Sequence, residues 1–308
     1  MNIIARLLLL ILLNGCSTGR YYKAAEQGPP PQIGQKDISL VLARAVVKAC
    51  ETPHANLDPS NINTVFVHPG MLWFDSDCGK SITVDSARIL IKNGYANNFY
   101  ELCDRNPEKI GELMQKDPGT RFIGLHYSLG GQPALVAATL ASVAQTRREG
   151  AKDFVYYPVL VDPFDIEQFN TLLDLDVAHL GQVFIVLSAE YSLLRPNVSG
   201  LREEILGSPK VHLIYAEDFG ETWGHFDELA SVVEEDAVSR FRDIFFLIAE
   251  AVVNGYSAIE FEGRLALLKI RYAGEDSRRV NVDWLRLAEK LPCAQGAAPI
   301  VAGQSRTP

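Results

Sequence analysis

Arg121-Phe122-Ile123-Gly124-Leu125-His126-Tyr127-Ser128-Leu129-Gly130-Gly131, continued by Gln132-Pro133-Ala134-Leu135-Val136-Ala137-Ala138, decides the fold class of this 308-residue chain. An apolar run leads into a serine bordered by glycines, and helix-forming residues follow at once. Strand, tight turn carrying serine, then helix is the order a nucleophile elbow demands. The turn is so sharp that the serine sits in strained backbone geometry with its hydroxyl above the sheet, and small neighbours two residues to either side let strand and helix pass closely. Gly130 meets that demand on the far side. His126 occupies the near side, where a glycine or alanine is usual. An ordinary strand-to-helix turn is the alternative for Ser-Leu-Gly-Gly, and the surrounding pattern favours the elbow.

Apolar runs that read as strands flank this unit at residues 63–68, 154–161, 182–188 and 210–215. The first ends in Pro69-Gly70 and the second in Asp162-Pro163. Helical spacing covers residues 39–50, 85–102 with Gly94 as a possible break, 107–115, the stretch after the elbow to about 150, 166–175, 201–206 and 227–254. Residues 258–272 read as a hairpin or a further strand. Strands alternating with helices predict an α/β fold, with a mostly parallel twisted sheet and helices on both faces. There is no internal repeat.

Acyl transfer by a serine needs a base for its proton, a carboxylate to orient the base, and backbone donors for the oxyanion. Of the six histidines, His225 follows the last clear strand in a Gly224-His225-Phe226 loop and is the expected base. His68 and His126 lie beside the serine, too close along the chain to reach over its hydroxyl. His54, His179 and His212 fall in a loop, a helix end and a strand interior, where a structural role is expected. Asp162, at the end of the strand after the elbow, is the preferred acid; Glu190, ending the next strand, is the alternative, and Asp218 is also near. The oxyanion donors are the amide of Leu129, which also gains from the helix dipole, and one from the loop after His68, where Gly70 and Met71 are candidates.

Val65-Phe66-Val67-His68-Pro69-Gly70, the Ser128 elbow, Leu160-Val161-Asp162 and Gly224-His225-Phe226 stand in the order found in the α/β-hydrolase superfamily. More narrowly, residues 60–235 resemble the thioesterase domains of peptide, polyketide and fatty-acid synthases. These have an HP-containing oxyanion loop, an acid directly after the post-elbow strand and a GHF-like histidine turn. The resemblance implies an α/β-hydrolase fold, a serine hydrolase acting on esters or thioesters, and no cofactor. The chain departs from the pattern at His126 and in lacking a second glycine after Gly70, and residues 255–292 fall outside the match.

One basic residue, Arg6, precedes a seven-residue apolar run, Leu7 to Leu13, too short to span a bilayer as a helix. Leu13-Asn14-Gly15-Cys16 resembles the bacterial lipobox, in which the cysteine is lipid-modified and becomes the N-terminus. Asn14 departs modestly from the usual small residue, and a plain signal peptide or anchor helix is the alternative. Ser17 then suggests retention at the outer membrane, facing the periplasm. Residues 1–15 are thus expected to be a lipoprotein signal peptide and 16–36, with Pro29-Pro30-Pro31, a flexible tether. Residues 37–292 are expected to form the hydrolase domain and 293–308 a disordered tail.

A net charge of −9 argues against a nucleic-acid partner, which needs a basic footprint. Cys50, Cys78, Cys103 and Cys293 show no CxxC or zinc-ligand spacing, so no metal site is expected; their pairing, or their state as free thiols, is open. The expected partners are a small-molecule or lipid acyl ester as substrate, and the membrane through the lipid anchor. Two other functions fit the same residues. One is a catalytically silent envelope lipoprotein that binds or assembles other components, and the other is an acyltransferase using the same triad.

Overall fold

The computed structural model describes residues 63–70, 82–102, 108–148, 153–163, 166, 169–172, 178–189, 198–219, 224, 232 and 240–273. Six strands form one parallel sheet: β1 (Asn63–His68), β2 (Asn98–Glu101), β3 (Arg121–Tyr127), β4 (Val155–Val161), β5 (Val183–Leu187) and β6 (Val211–Tyr215). They lie in the order β2-β1-β3-β4-β5-β6. Every residue of β1 and β5 is buried, as a parallel sheet covered on both faces requires.

The helices are α1 (Ile82–Lys92), α2 (Glu108–Lys116), α3 (Pro133–Arg148), α4 (Phe169–Leu172), α5 (Glu203–Leu206), α6 (Arg240–Asn254) and α7 (Ala258–Ala273). Alternation along the strands sends side chains to two separate cores. Val65, Val67, Ile123, Leu125 and Phe184 pack with Leu90 of α1, Ile244 and Val252 of α6, and Phe261 of α7. Phe66, Phe122, Tyr156 and Ile185 pack with Ile110 of α2, Val136 and Val143 of α3, and Ile205 of α5. Each such side chain, fully removed from water, contributes about 1.5–3 kcal/mol, so the sheet is fixed from both sides.

Two segments differ from the sequence expectation. The helical stretch 85–102 ends at Lys92, where Gly94 adopts φ 78°, and its last residues form β2, a short half-buried edge strand paired with β1. Residues 258–272 are neither hairpin nor strand but the helix α7. Its start is a capping box: the Ser257 N–H donates to Glu260 Oε2 (2.8 Å), and the Glu260 N–H donates to Ser257 Oγ (3.3 Å). His212 holds this helix to the sheet, with Nδ1 against Glu262 Oε1 (2.5 Å), Nε2 against Gln182 Oε1 (3.0 Å) and its ring stacked on Phe184.

Strand order creates one special crevice. The chain leaves β1 to one side to form β2, then crosses back past β1 to form β3. The carboxyl ends of β1 and β3 therefore bound a topological switch point, the place where open α/β sheets bind ligands. Asp117 secures the opposite edge, accepting from the Thr64 hydroxyl (2.9 Å) and the Gly119 N–H (2.6 Å). That contact ties β1 to the entrance of β3.

Candidate functional site at the carboxyl edge of the sheet

Ser128 is the first residue beyond β3 and opens a single 3-10 turn, Ser128–Gly131, that feeds into α3. Its φ is +52°, in the left-handed region. That conformation costs a residue bearing a Cβ roughly 1–2 kcal/mol and is found where surrounding structure enforces it.

The enforcement is visible in three glycines. A Cβ on Gly130 would lie 2.1 Å from the His68 carbonyl oxygen and 2.7 Å from that of Pro69, so the turn runs directly against the end of β1. A Cβ on Gly131 would stand 2.9 Å from Pro163 Cβ, so its other side runs against the end of β4. Gly70, in the loop after β1, faces the serine itself: a Cβ there would be 3.1 Å from Ser128 Cβ. The Ser128 turn is wedged between the ends of the two strands flanking β3.

Asp162 follows β4 as Ser128 follows β3, and its φ is +42°. It is fully buried. Oδ1 accepts the Ser188 N–H at 2.8 Å, and its own N–H donates to the Val186 carbonyl, so the carboxylate is tied to the end of β5. Ser128 and Asp162 are the two positive-φ residues other than glycine among the described residues. Asp218, the further acid candidate, is engaged elsewhere: Oδ2 pairs with Lys269 Nζ of α7 at 2.7 Å.

Below the turn lie two histidines. His126 is fully buried; Nδ1 meets the Gly130 carbonyl oxygen at 3.0 Å and Nε2 meets the Tyr156 hydroxyl at 3.0 Å. Burial pushes its pKa down to about 4, against the opposing effect of the Gly130 hydrogen bond. His68 stacks on it with ring centroids 3.9 Å apart. Neither ring nitrogen of His68 has a hydrogen-bond partner, and burial, followed by the neighbouring His126, holds its pKa well below the ordinary histidine range. Both rings are therefore neutral near pH 7. Tyr156, whose hydroxyl completes this arrangement, was not legible as a site residue; it reads as one more apolar position of β4.

The structure thus brings Ser128, Gly70, the Leu129 backbone and Asp162 to one edge of the sheet. His225, Glu190, Met71 and Cys16 lie outside the described residues, as do Cys50, Cys78, Cys103 and Cys293. Among the described residues, no cluster of three or more His, Cys, Asp or Glu side chains is arranged to hold a metal ion. No described helix is long and apolar enough to cross a membrane. Comparison of the chain with protein-family models, with curated proteins and with solved structures gives no match.

Proposed function

We propose that this chain is a serine hydrolase of the α/β-hydrolase type that cleaves carboxylic ester or thioester bonds through an acyl-enzyme on Ser128. The observation that carries the reading is the left-handed backbone of Ser128 at the carboxyl end of β3, at the switch point of the sheet. A serine that merely began a helix would have no need of that conformation, because extended backbone serves an N-cap. The second strained residue, Asp162, stands at the neighbouring strand end, a position from which a carboxylate can orient the base.

In the proposed reaction Ser128 Oγ attacks the acyl carbonyl carbon and its proton passes to His225. Asp162 accepts the other ring N–H of His225 and stabilises the imidazolium. The carbonyl oxygen, now an oxyanion, takes hydrogen bonds from the Leu129 amide and from an amide of the Gly70–Met71 loop. The histidine then protonates the departing alcohol or thiol. Water then attacks the acyl-enzyme and gives a proton to the same ring, which returns it to Ser128 Oγ as the acid is released.

The lipobox-like Leu13-Asn14-Gly15-Cys16 supports an envelope location with a lipid on Cys16, at the outer membrane facing the periplasm. Carrier-bound acyl chains of the cytoplasm would not reach such an enzyme, so the substrate class is acyl esters of lipids, glycans, peptides or small molecules. One observation favours the silent, binding reading: Ser128 is only 4% exposed. Hydrolysis of short p-nitrophenyl esters by the wild type, lost in a folded Ser128→Ala variant, supports the hydrolase. No turnover by the folded wild type favours the binding protein. Product analysis with added alcohols separates hydrolysis from acyl transfer.

A further inference from the structure

The geometry points to a clamp formed by His126 and Tyr156 that holds the Ser128 turn in its left-handed conformation, making both of them positioning residues for the serine hydroxyl and the Leu129 amide. The clamp rests on the reading of Ser128 as a nucleophile, but its hydrogen-bond pattern can be tested without it.

The donor assignment follows from the partners. A backbone carbonyl only accepts, so His126 Nδ1, 3.0 Å from the Gly130 oxygen, must carry the proton. In a neutral ring Nε2 then has a lone pair, and the Tyr156 O–H, 3.0 Å away, donates to it. The chain of donors therefore runs one way, from the β4 tyrosine through the β3 histidine to the carbonyl two residues beyond the serine.

The surroundings are shaped for this arrangement. A Cβ on Gly124 would lie 1.8 Å from the Tyr156 hydroxyl oxygen, so the missing side chain is what lets that hydroxyl cross β3 to the histidine. His68 covers one face of the ring, stacking with centroids 3.9 Å apart. With His126 fully buried, no water competes for either nitrogen, and a single tautomer is held. A bulky residue two places before the serine thus does not distort the turn. It reaches under the turn and fastens it from within, where a small residue would only make room.

Two measurements decide this. The first is the imidazole nitrogen–carbon correlation spectrum of labelled wild-type protein near pH 7, with the His126 signals assigned by their loss in His126→Asn. The expected result is the Nδ1–H tautomer; the Nε2–H tautomer overturns the clamp. The second is the saturation rate of fluorophosphonate reaction at Ser128 in wild type, His126→Asn, His126→Leu and Tyr156→Phe, each checked for folding by circular dichroism. Asparagine can place an amide N–H where Nδ1 stands, whereas leucine cannot. The maximal labelling rate is expected to fall by roughly tenfold or more in His126→Leu, with asparagine recovering part of it and half-saturation unchanged. If His126→Leu does not fold, Tyr156→Phe against wild type, with a smaller loss expected, carries the comparison. Equal maximal rates in the folded variants overturn the clamp. A wild type that does not label at Ser128 contradicts the nucleophile reading, while the tautomer still decides the hydrogen-bond pattern.

Discussion

Ser128 and Asp162 are the next residues out from a register pair, Tyr127 opposite Val161, on adjacent parallel strands, and both hold positive φ, 52° and 42°. At one strand spacing, about 4.8 Å, two neighbouring strands end in the same left-handed backbone. Left-handed backbone at a residue bearing a Cβ is uncommon, and two in register at one sheet edge mark a place where the fold enforces strain. Ser128 and Asp162 are also the residues whose sequence context suggests nucleophile and acid.

The strain at Ser128 has a measurable sign. Alanine normally outranks glycine within regular structure, because glycine loses more backbone entropy on folding. At φ +52° the order should reverse. Ser128→Gly is expected to be more stable than Ser128→Ala by a few tenths to about 1 kcal/mol in denaturant titration. The usual order, alanine above glycine, would mean the backbone at 128 is relaxed.

At Asp162 charge and architecture separate by substitution. Asn tolerates the left-handed region and can still accept the Ser188 N–H, so Asp162→Asn should fold with near wild-type stability. Its ester turnover should fall by on the order of 10³–10⁴ if Asp162 orients the base. Asp162→Ala leaves the buried Ser188 amide unpaired and should lose about 1–3 kcal/mol as well. Turnover unchanged in Asp162→Asn would move the acid role to another carboxylate, with Glu190 the next to test.

Gly130 should tolerate no side chain. The new methyl carbon of Gly130→Ala would sit 2.1 Å from a backbone oxygen of β1, and neither partner is a side chain that can swing away. Overpacking of this kind costs about 1–3 kcal/mol or more. A lowered thermal midpoint together with loss of turnover is expected; wild-type behaviour would show that the turn does not abut β1.

The stacked histidines predict acid sensitivity. In the folded chain His126 protonates only near pH 4, whereas in the unfolded chain it protonates near its ordinary 6.5. Between these values the unfolded state binds the extra proton, so stability is full above about pH 6.5 and falls as pH drops towards 4, by on the order of 3 kcal/mol for this group. His68, depressed in the same direction, adds to the slope. His68→Phe, which keeps an aromatic ring in the stack, should flatten the decline of stability between pH 6.5 and 5. An unchanged slope would mean that His68 is not held neutral by the fold.

Much of this architecture was legible in the sequence, because β1, β3, β4, β5 and β6 are largely apolar runs bounded by turn residues, β1 and β5 buried throughout and the others mostly buried. β2 was not: four half-buried residues at an edge carry little apolar signal, and they follow α1 closely enough to look like its continuation. The α7 segment reads as a hairpin or strand in sequence, since Glu260-Phe261-Glu262 and Lys269-Ile270-Arg271-Tyr272 alternate between polar and apolar residues. The Ser257-to-Glu260 capping box was the available signal for a helix. At the site, the serine, its glycines and the aspartate follow from local pattern. His126 looked like a defect because its compensation is non-local: Tyr156 is thirty positions away and reaches it only because residue 124 is glycine.

The central claim, that Ser128 is a nucleophile, is tested most directly by treating folded protein with a fluorophosphonate and locating the adduct by mass spectrometry. Tryptic cleavage gives peptide 122–147, which contains Ser128. The expected result is one adduct, on Ser128, absent from folded Ser128→Ala. Labelling that persists in Ser128→Ala, or a folded wild type that does not react, would contradict the claim.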